Sequence, residues 1–271
     1  ARKVAAGDFS VQIPPVRRDG KKDELEVLIE DFNTMARELA GNEMLKSDFI
    51  ANVSHEIKTP LSIIQSYTKA LKDGCVPEAQ KEQYMDAILA ASSNLSLMVT
   101  NILKLNKLEN QRIFPAPESY PLGEQLRLCA LGFMERWQEK NIAFSIDVAD
   151  VTVRYDPSLL ELVWNNLLSN AIKFTPRGGA IALTSHTEGN KVFVTVRDTG
   201  CGMDAQSQQK MFEKFYQGDP SHAAEGNGLG LALVKKVLEI VNGEIFVRSS
   251  PGEGSAFTVV LETDAAPAHI S

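Results

Sequence analysis

The sequence predicts a helical hairpin that pairs with a second copy into an antiparallel four-helix bundle, followed by a two-layer α/β sandwich. Three observations carry this expectation. Two long stretches repeat apolar residues at alternating three- and four-residue spacing, the mark of narrow helical seams. A proline-rich break at Pro115-Ala116-Pro117 ends the second of them. Beyond it, period-two alternations of strand type are interleaved with helical segments.

Residues 1–42 open irregularly, with Gly7-Asp8-Phe9 and Pro14-Pro15 marking a connector. Leu25, Leu28, Phe32, Met35 and Leu39 then form a seam of coiled-coil type. Asn42 and Lys46 fall where apolar residues are due, and the seam restarts out of phase at Leu45, Phe49, Val53, Ile57, Leu61 and Ile64. A break of this kind changes the winding of a coil locally.

Residues 43–111 are expected to hold both helices of the hairpin, joined by a turn at Asp73-Gly74. The second helix carries Tyr84, Ile88, Ala91, Leu95, Met98, Ile102, Leu105 and Leu108 in strict three-four alternation. Two helices with such narrow seams bury too little alone, and dimerisation completes the bundle. Residues 112–121 read as a linker because their prolines cannot continue a helix.

In 122–263, helices are expected at 122–140, 157–174 and 228–241, with strands carried by Ile142 to Val148, Val192 to Val196 and Phe257 to Leu261. Interleaving without a regular βαβ repeat points to an α+β sandwich, not a doubly wound parallel sheet. Residues 264–271 read as a frayed tail.

The chain has 271 residues, 44% of them hydrophobic, enough for more than one folded unit. A net charge of −7 argues against general affinity for nucleic acid, which needs clustered Lys and Arg. Cys75, Cys129 and Cys201 are widely spaced without CxxC, which suits reduced thiols and no structural metal. No run of about 18 apolar residues occurs, so the fragment is expected to be soluble. Arg2, Lys3, Arg17, Arg18, Lys21 and Lys22 nevertheless crowd its start, as they do on the cytoplasmic flank of a membrane helix.

The chemistry concentrates in four places. On the first bundle helix the seam runs through Val53 and Ile57, so His55 points roughly 160° away from both at about 100° per residue. Thr59 follows on the same face, Glu56 is its neighbour, and Pro60 interrupts the backbone hydrogen bonding. A neutral imidazole is a good nucleophile near pH 7, and an adjacent carboxylate takes its second proton or fixes its tautomer. His186, His222 and His269 lack such company.

Asn166, Asn170 and Lys173 form one polar stripe on a helix whose other face holds Leu162, Val163, Leu167 and Ala171. Carboxamides beside a lysine suit Mg²⁺ bridging phosphates, since that ion takes few protein oxygens. Asp198 ends a strand and is followed by Gly200 and Gly202, a place where a carboxylate can accept from the exocyclic amine of adenine. Gly226, Gly228 and Gly230 precede an apolar helix whose N-terminus suits phosphate. Between the two glycine sets, Phe212, Phe215 and Tyr216 lead into a small-residue stretch with the composition of a mobile lid. Neither set is a P-loop or a dinucleotide fingerprint.

These motifs, in this order and at these separations, resemble those of the sensor histidine kinases of two-component signalling. The resemblance spans nearly the whole chain: a partial HAMP linker, a dimerisation and phosphotransfer domain, and a GHKL (Bergerat) ATP-binding domain. It implies that His55 is the phosphoacceptor, Glu56 its general acid/base, and Thr59 the residue orienting water when the partner is dephosphorylated. Asn166, Asn170, Lys173 and Phe174 resemble the N box, Asp198, Gly200 and Gly202 the G1 box, Phe212 and Phe215 the F box, and Gly226, Gly228 and Gly230 the G2 box.

The implied ligands are ATP and Mg²⁺, with Asn170 as metal ligand. The implied partners are a second copy and the receiver domain of a response regulator, on the cytoplasmic side of a membrane-inserted parent protein. Gln217 departs from the pattern, since many relatives carry arginine there, which leaves Lys214 or Lys173 to approach the γ-phosphate. A GHKL ATPase of the gyrase type resembles this chain in its nucleotide boxes but carries glutamate where Asn166 stands. A non-catalytic dimeric scaffold is the remaining alternative, and the intact nucleotide boxes count against it.

Overall fold

The computed structural model describes residues 13–14, 24–110, 114–218 and 227–263, without the side chains of 24–26, 28 and 35–48. The basic cluster at the start and the tail lie outside what is described, as do the side chains of the first seam's Leu25, Leu28, Met35 and Leu39 and of the seam break at Asn42, Leu45 and Lys46. The chain divides into two compact units, Ala1–Ser66 and Tyr67–Ser271.

Helix α1, Glu24–Lys72, carries the phosphoacceptor candidate. Helical hydrogen bonding runs on past Pro60, whose missing N–H deprives a single carbonyl of its partner. Ile29, which the predicted seam passes over, is buried, and Phe32 is half-buried. The Asn33 side chain donates to the Ile13 carbonyl and accepts from the Ile13 N–H, both at 2.8 Å, tying the connector to α1.

In the second unit the chain turns at Asp73-Gly74, where Gly74 has φ 70°. The Tyr67 and Tyr84 rings meet across the turn at a tilt of 32°, with centroids 4.6 Å apart. A 3-10 turn, Glu78–Gln80, leads into α2, Lys81–Asn110. All eight predicted seam residues of α2 are buried or half-buried. Met85, Leu89, Val99 and Leu103 stay exposed on an adjoining stripe. Within Glu78–Asn110 an 18-residue stretch reaches mean hydropathy 1.3, long and apolar enough to cross a membrane by length and composition, which the apolar runs in the sequence do not announce. Ser92, Ser93, Asn94 and Ser96 interrupt the apolar run within that stretch.

The α/β part is built from β1 (Glu118–Pro121), α3 (Leu122–Leu131), α4 (Met134–Glu139), β2 (Ala143–Asp147), β3 (Thr152–Tyr155) and α5 (Pro157–Phe174). It continues with β4 (Ala180–Glu188), β5 (Lys191–Asp198), α6 (Ala205–Lys210), α7 (Gly230–Val241), β6 (Glu244–Ser250) and β7 (Gly254–Glu262). Among the described residues, five strands form a sheet in the order β2-β4-β5-β7-β6, parallel only at β2 and β4. β1 and β3 form a separate antiparallel ribbon.

Strand alternation sends Ile181, Leu183, Val192, Val194, Val196, Val259 and Leu261 to a buried face. Helix α5 contributes Leu160, Val163, Trp164, Leu167 and Leu168, all at most 1% exposed, and α7 contributes Leu233, Val234 and Val237. Burying each such side chain contributes roughly 1.5–3 kcal/mol, so these faces fix where α5 sits on the sheet. The N-cap Asp156 starts α5 by accepting from Ser158 N–H at 2.9 Å, with Pro157 preset for the first turn. Pro176 follows its end, which biases Thr175 out of the helical region.

Three expectations are corrected. The helix at 122–140 is two helices, because Phe133 leaves helical geometry at φ −107°, ψ 10° beside Gly132. The linker at 112–121 already contains β1. The three strands foreseen are accompanied by β1, β3, β4 and β6.

Candidate functional site

Asn166, Asn170 and Lys173 lie half-buried on one side of α5, opposite the buried Leu167 and Ala171. Asn166 donates its Nδ2 to the Leu162 carbonyl at 2.7 Å, which leaves Oδ1 as the presented atom. A Cβ on Gly230 would sit 2.8 Å from that Oδ1, so the start of α7 lies directly against the carboxamide. Lys173 places its ammonium 4.5 Å from the centre of the Phe174 ring, a cation–π contact, and Phe174 is 40% exposed.

Asp198, 4% exposed, sits at the end of β5. Its Oδ1 accepts from Gly200 N–H at 2.8 Å and from Ser255 N–H at 3.3 Å. Burial raises its pKa above the ordinary aspartate value, and the two backbone bonds partly offset that. With Oδ1 committed, Oδ2 is the atom left for a ligand. Gly200 is wedged between Asp198 and α5: a Cβ there would lie 2.7 Å from both Asp198 Oδ1 and the Phe174 carbonyl. Gly202, at φ +68°, has no room for a side chain because the Ser250 carbonyl would be 1.9 Å away.

Phe215 holds φ 63°, which a bulky residue rarely adopts, and its N–H donates to the Gly228 carbonyl at 3.0 Å. The aromatic motif and the second glycine motif are thereby joined. Phe212 is half-buried. Lys214 lies in an ion pair, Nζ 2.6 Å from Glu109 Oε1 at the end of α2. Gly226 and His222 lie outside the described residues, as does His269.

The sequence reading missed the turn before β7. Ser255 N–H helps hold Asp198, and Ser249 Oγ accepts from Met203 N–H at 2.8 Å while lying 3.0 Å from the Gly254 carbonyl and from Ser255 Oγ. The Pro251-Gly252-Glu253-Gly254 run was the available signal.

In the other unit, His55 is exposed, Thr59 is exposed and Glu56 is half-buried, while Val53 and Ile57 on the seam are half-buried. Thr59 Oγ1 donates to the His55 carbonyl at 3.4 Å, and Ser54 Oγ to Ile50 at 2.8 Å. His186 instead stacks on Phe193, its cross-strand partner from β4 to β5, with ring centroids 5.0 Å apart.

Residues 45–111 match the His Kinase A (phospho-acceptor) domain, and residues 155–265 match the histidine kinase-, DNA gyrase B- and HSP90-like ATPase family. The chain belongs to the sensor histidine kinases. It is 31% identical over 265 residues to the signal transduction histidine-protein kinase BaeS of Escherichia coli K12, covering 96% of this chain and 55% of that one. The chain spans about half the length of the curated relatives it matches. Among solved structures, full-length ShkA in complex with AMPPNP is 28% identical with TM-score 0.58, over 81% of this chain and 47% of that one. The histidine kinase ThkA, in complex with the response regulator TrrA, shares the fold at TM-score 0.69 and 24% identity, over 83% of this chain and 64% of that one.

Proposed function

We propose that this chain is the autokinase and phosphotransfer portion of a sensor histidine kinase, using ATP to phosphorylate His55. The observation that carries the reading is the direct contact between motifs far apart in sequence, one set of which closes on the buried Asp198 carboxylate. Asn166 meets Gly230, Phe174 meets Gly200, Asp198 holds Gly200 and Ser255, and Phe215 holds Gly228.

In this reading Asp198 Oδ2 accepts from the exocyclic amine of adenine. Gly228 and Gly230 lead the polyphosphate to the N-terminus of α7, where free N–H groups and the positive helix end favour anions. The oxygen-only donor set fits Mg²⁺: Asn170, beside Asn166, is its ligand, and a bound ion would neutralise charge across the phosphates. Lys173 and Lys214 are the basic groups read for the phosphate side, and Lys214, paired with Glu109, reaches phosphate only when that pair opens.

At His55 the lone pair of a neutral ring nitrogen forms the N–P bond, the bond from Pγ to the bridging oxygen breaks, and ADP leaves with that electron pair. Glu56 takes the proton from the other ring nitrogen. The phosphoryl group then passes to an aspartate of a response-regulator receiver domain. Thr59 orients water when the regulator is dephosphorylated. The exposed stripe of Met85, Leu89, Val99 and Leu103 supports a homodimer, and the parent protein is read as membrane-inserted with this part on the cytoplasmic side.

Incubation with ATP labelled in its γ-phosphate tests the reading. Acid-labile, alkali-stable label on the protein is expected. Free phosphate without protein label supports an ATPase, which Asn166 disfavours because a carboxamide cannot act as general base; neither product indicates a scaffold.

A further inference from the structure

The carbonyls at the end of α5 have an unusual partner. An α-helix leaves its last four C=O groups without helical donors, and where they are buried something else must satisfy them. Here the Ala171 carbonyl accepts from Thr175 N–H at 3.0 Å and from Thr175 Oγ1 at 2.6 Å. The next two carbonyls are taken by one side chain from another element. Lys140, just after α4, donates its Nζ to Ile172 O at 2.8 Å and Lys173 O at 2.9 Å, and also reaches Thr175 O at 3.3 Å. The last carbonyl, Phe174 O, is the one pressed against Gly200.

We propose that Lys140 is a positioning residue for the nucleotide site, acting through the last turn of α5. A cation at a helix C-terminus is favoured by the dipole, and three charge-assisted donors from one half-buried ammonium fix that turn against α4. The turn carries Lys173 and Phe174. Its Phe174 carbonyl sets how closely Gly200 approaches, and Gly200 N–H in turn holds Asp198 Oδ1. The loop beyond the turn is locked to the same region: Thr199 Oγ1 accepts from Ala180 N–H at 2.9 Å, and Thr199 N–H donates to Ala180 O at 3.1 Å. Lys140 Nζ touches only backbone carbonyls of that turn, and the two halves of the pocket meet at the helix end it caps.

Arg177 is the internal comparison. It crosses the same gap by donating to the Glu139 carbonyl at 3.1 Å, but it is exposed and binds a carbonyl of α4, not one of α5. Its loss removes a bond of the same loop without freeing the helix end.

The inference rests on the nucleotide-site reading, and the experiment separates the two. Equilibrium binding of ATP with Mg²⁺ is measured for the unaltered chain, Lys140→Met, Lys140→Arg and Arg177→Ala, with thermal unfolding recorded for each. Lys140→Met is expected to raise Kd for ATP about tenfold, the equivalent of one such bond, while Arg177→Ala leaves Kd within about twofold. Lys140→Arg, which restores donors and charge, brings Kd most of the way back. If Lys140→Met does not fold, Lys140→Gln is read in the same way, alongside amide exchange at Ile172–Thr175, which should quicken. A Kd unchanged in folded Lys140→Met or Lys140→Gln, with only Tm lowered, overturns the inference. Failure of the unaltered chain to bind ATP overturns the site reading instead.

Discussion

In the proposed site, Asp198 is a buried carboxyl whose recognition role comes at a cost in stability. Its pKa lies above the usual aspartate range because burial disfavours the charge. The folded state therefore holds that proton more tightly than the unfolded chain. Stability is fully present below the unfolded pKa and is lost as pH rises through the folded one. Ligand recognition needs the opposite state, the ionised carboxylate. Asp198→Asn keeps an oxygen for Gly200 and Ser255 but turns the remaining acceptor into an NH₂ group. It is expected to raise Tm at pH 7 by about 2–4 °C and to weaken ATP binding roughly 10- to 100-fold. In the unaltered chain, ATP affinity should decline on acidification from a pH above the ordinary aspartate range. Calorimetric unfolding and ATP titration between pH 4 and 8 check both, and an unchanged Kd in the variant would remove Asp198 from the site.

Thr59 sits one turn beyond His55 on an exposed face and offers no strong base. Its hydroxyl is held on the His55 carbonyl at 3.4 Å, a long bond that is readily exchanged for water. Thr59→Ala should keep labelling of His55 near its original rate and slow dephosphorylation of the receiver about tenfold, the loss of one hydrogen bond. Equal loss of both activities contradicts the division of roles.

At the scale of elements, legibility followed periodicity. The α2 seam from Tyr84 to Leu108 was readable because packing of one face imposes a strict repeat, and α5 because a cap, a proline and an apolar face coincide. β4 and β6 were not readable. Their outward positions hold Ala180, Ala182 and Thr184 in one and Phe246 in the other, so the polar half of the alternation is blurred. The split at Gly132 was hidden because one glycine is tolerated inside many helices. Within the site, side chains with distinctive chemistry were legible, whereas the contributions of Ser255 and Lys140 are hydrogen bonds to or from backbone atoms, which residue type does not announce. The Asn stripe on α5 gives its own prediction. Asn170→Ala removes one oxygen ligand and should raise the Mg²⁺ needed for half-maximal autophosphorylation roughly tenfold, without altering the oligomeric state. Autophosphorylation unchanged at limiting Mg²⁺ would refute the role.

At the scale of the whole molecule, assembly is read from α2. Its seam is occupied, yet Met85, Leu89, Val99 and Leu103 remain exposed on a stripe displaced by one residue from the seam, with Ser92 and Ser96 between them. A second copy in a four-helix bundle covers such a stripe. Leu89→Glu with Leu103→Glu should therefore weaken dimerisation by at least about 100-fold, since each buried leucine contributes roughly 1.5–3 kcal/mol. Sedimentation at micromolar concentration reads this directly, and an intact dimer would place the interface elsewhere. ATP binding in the α/β part should persist in the monomer, because its closure involves no residue of that stripe.

The destination of the phosphoryl group decides whether His55 is the phosphoacceptor. Labelling with γ-phosphate-labelled ATP is compared between the unaltered chain and His55→Gln, with ATP affinity measured in both. Acid-labile label is expected on His55 and is lost in His55→Gln, while Kd for ATP is unchanged. Label that persists in His55→Gln, or that maps to another residue of the unaltered chain, would contradict that assignment.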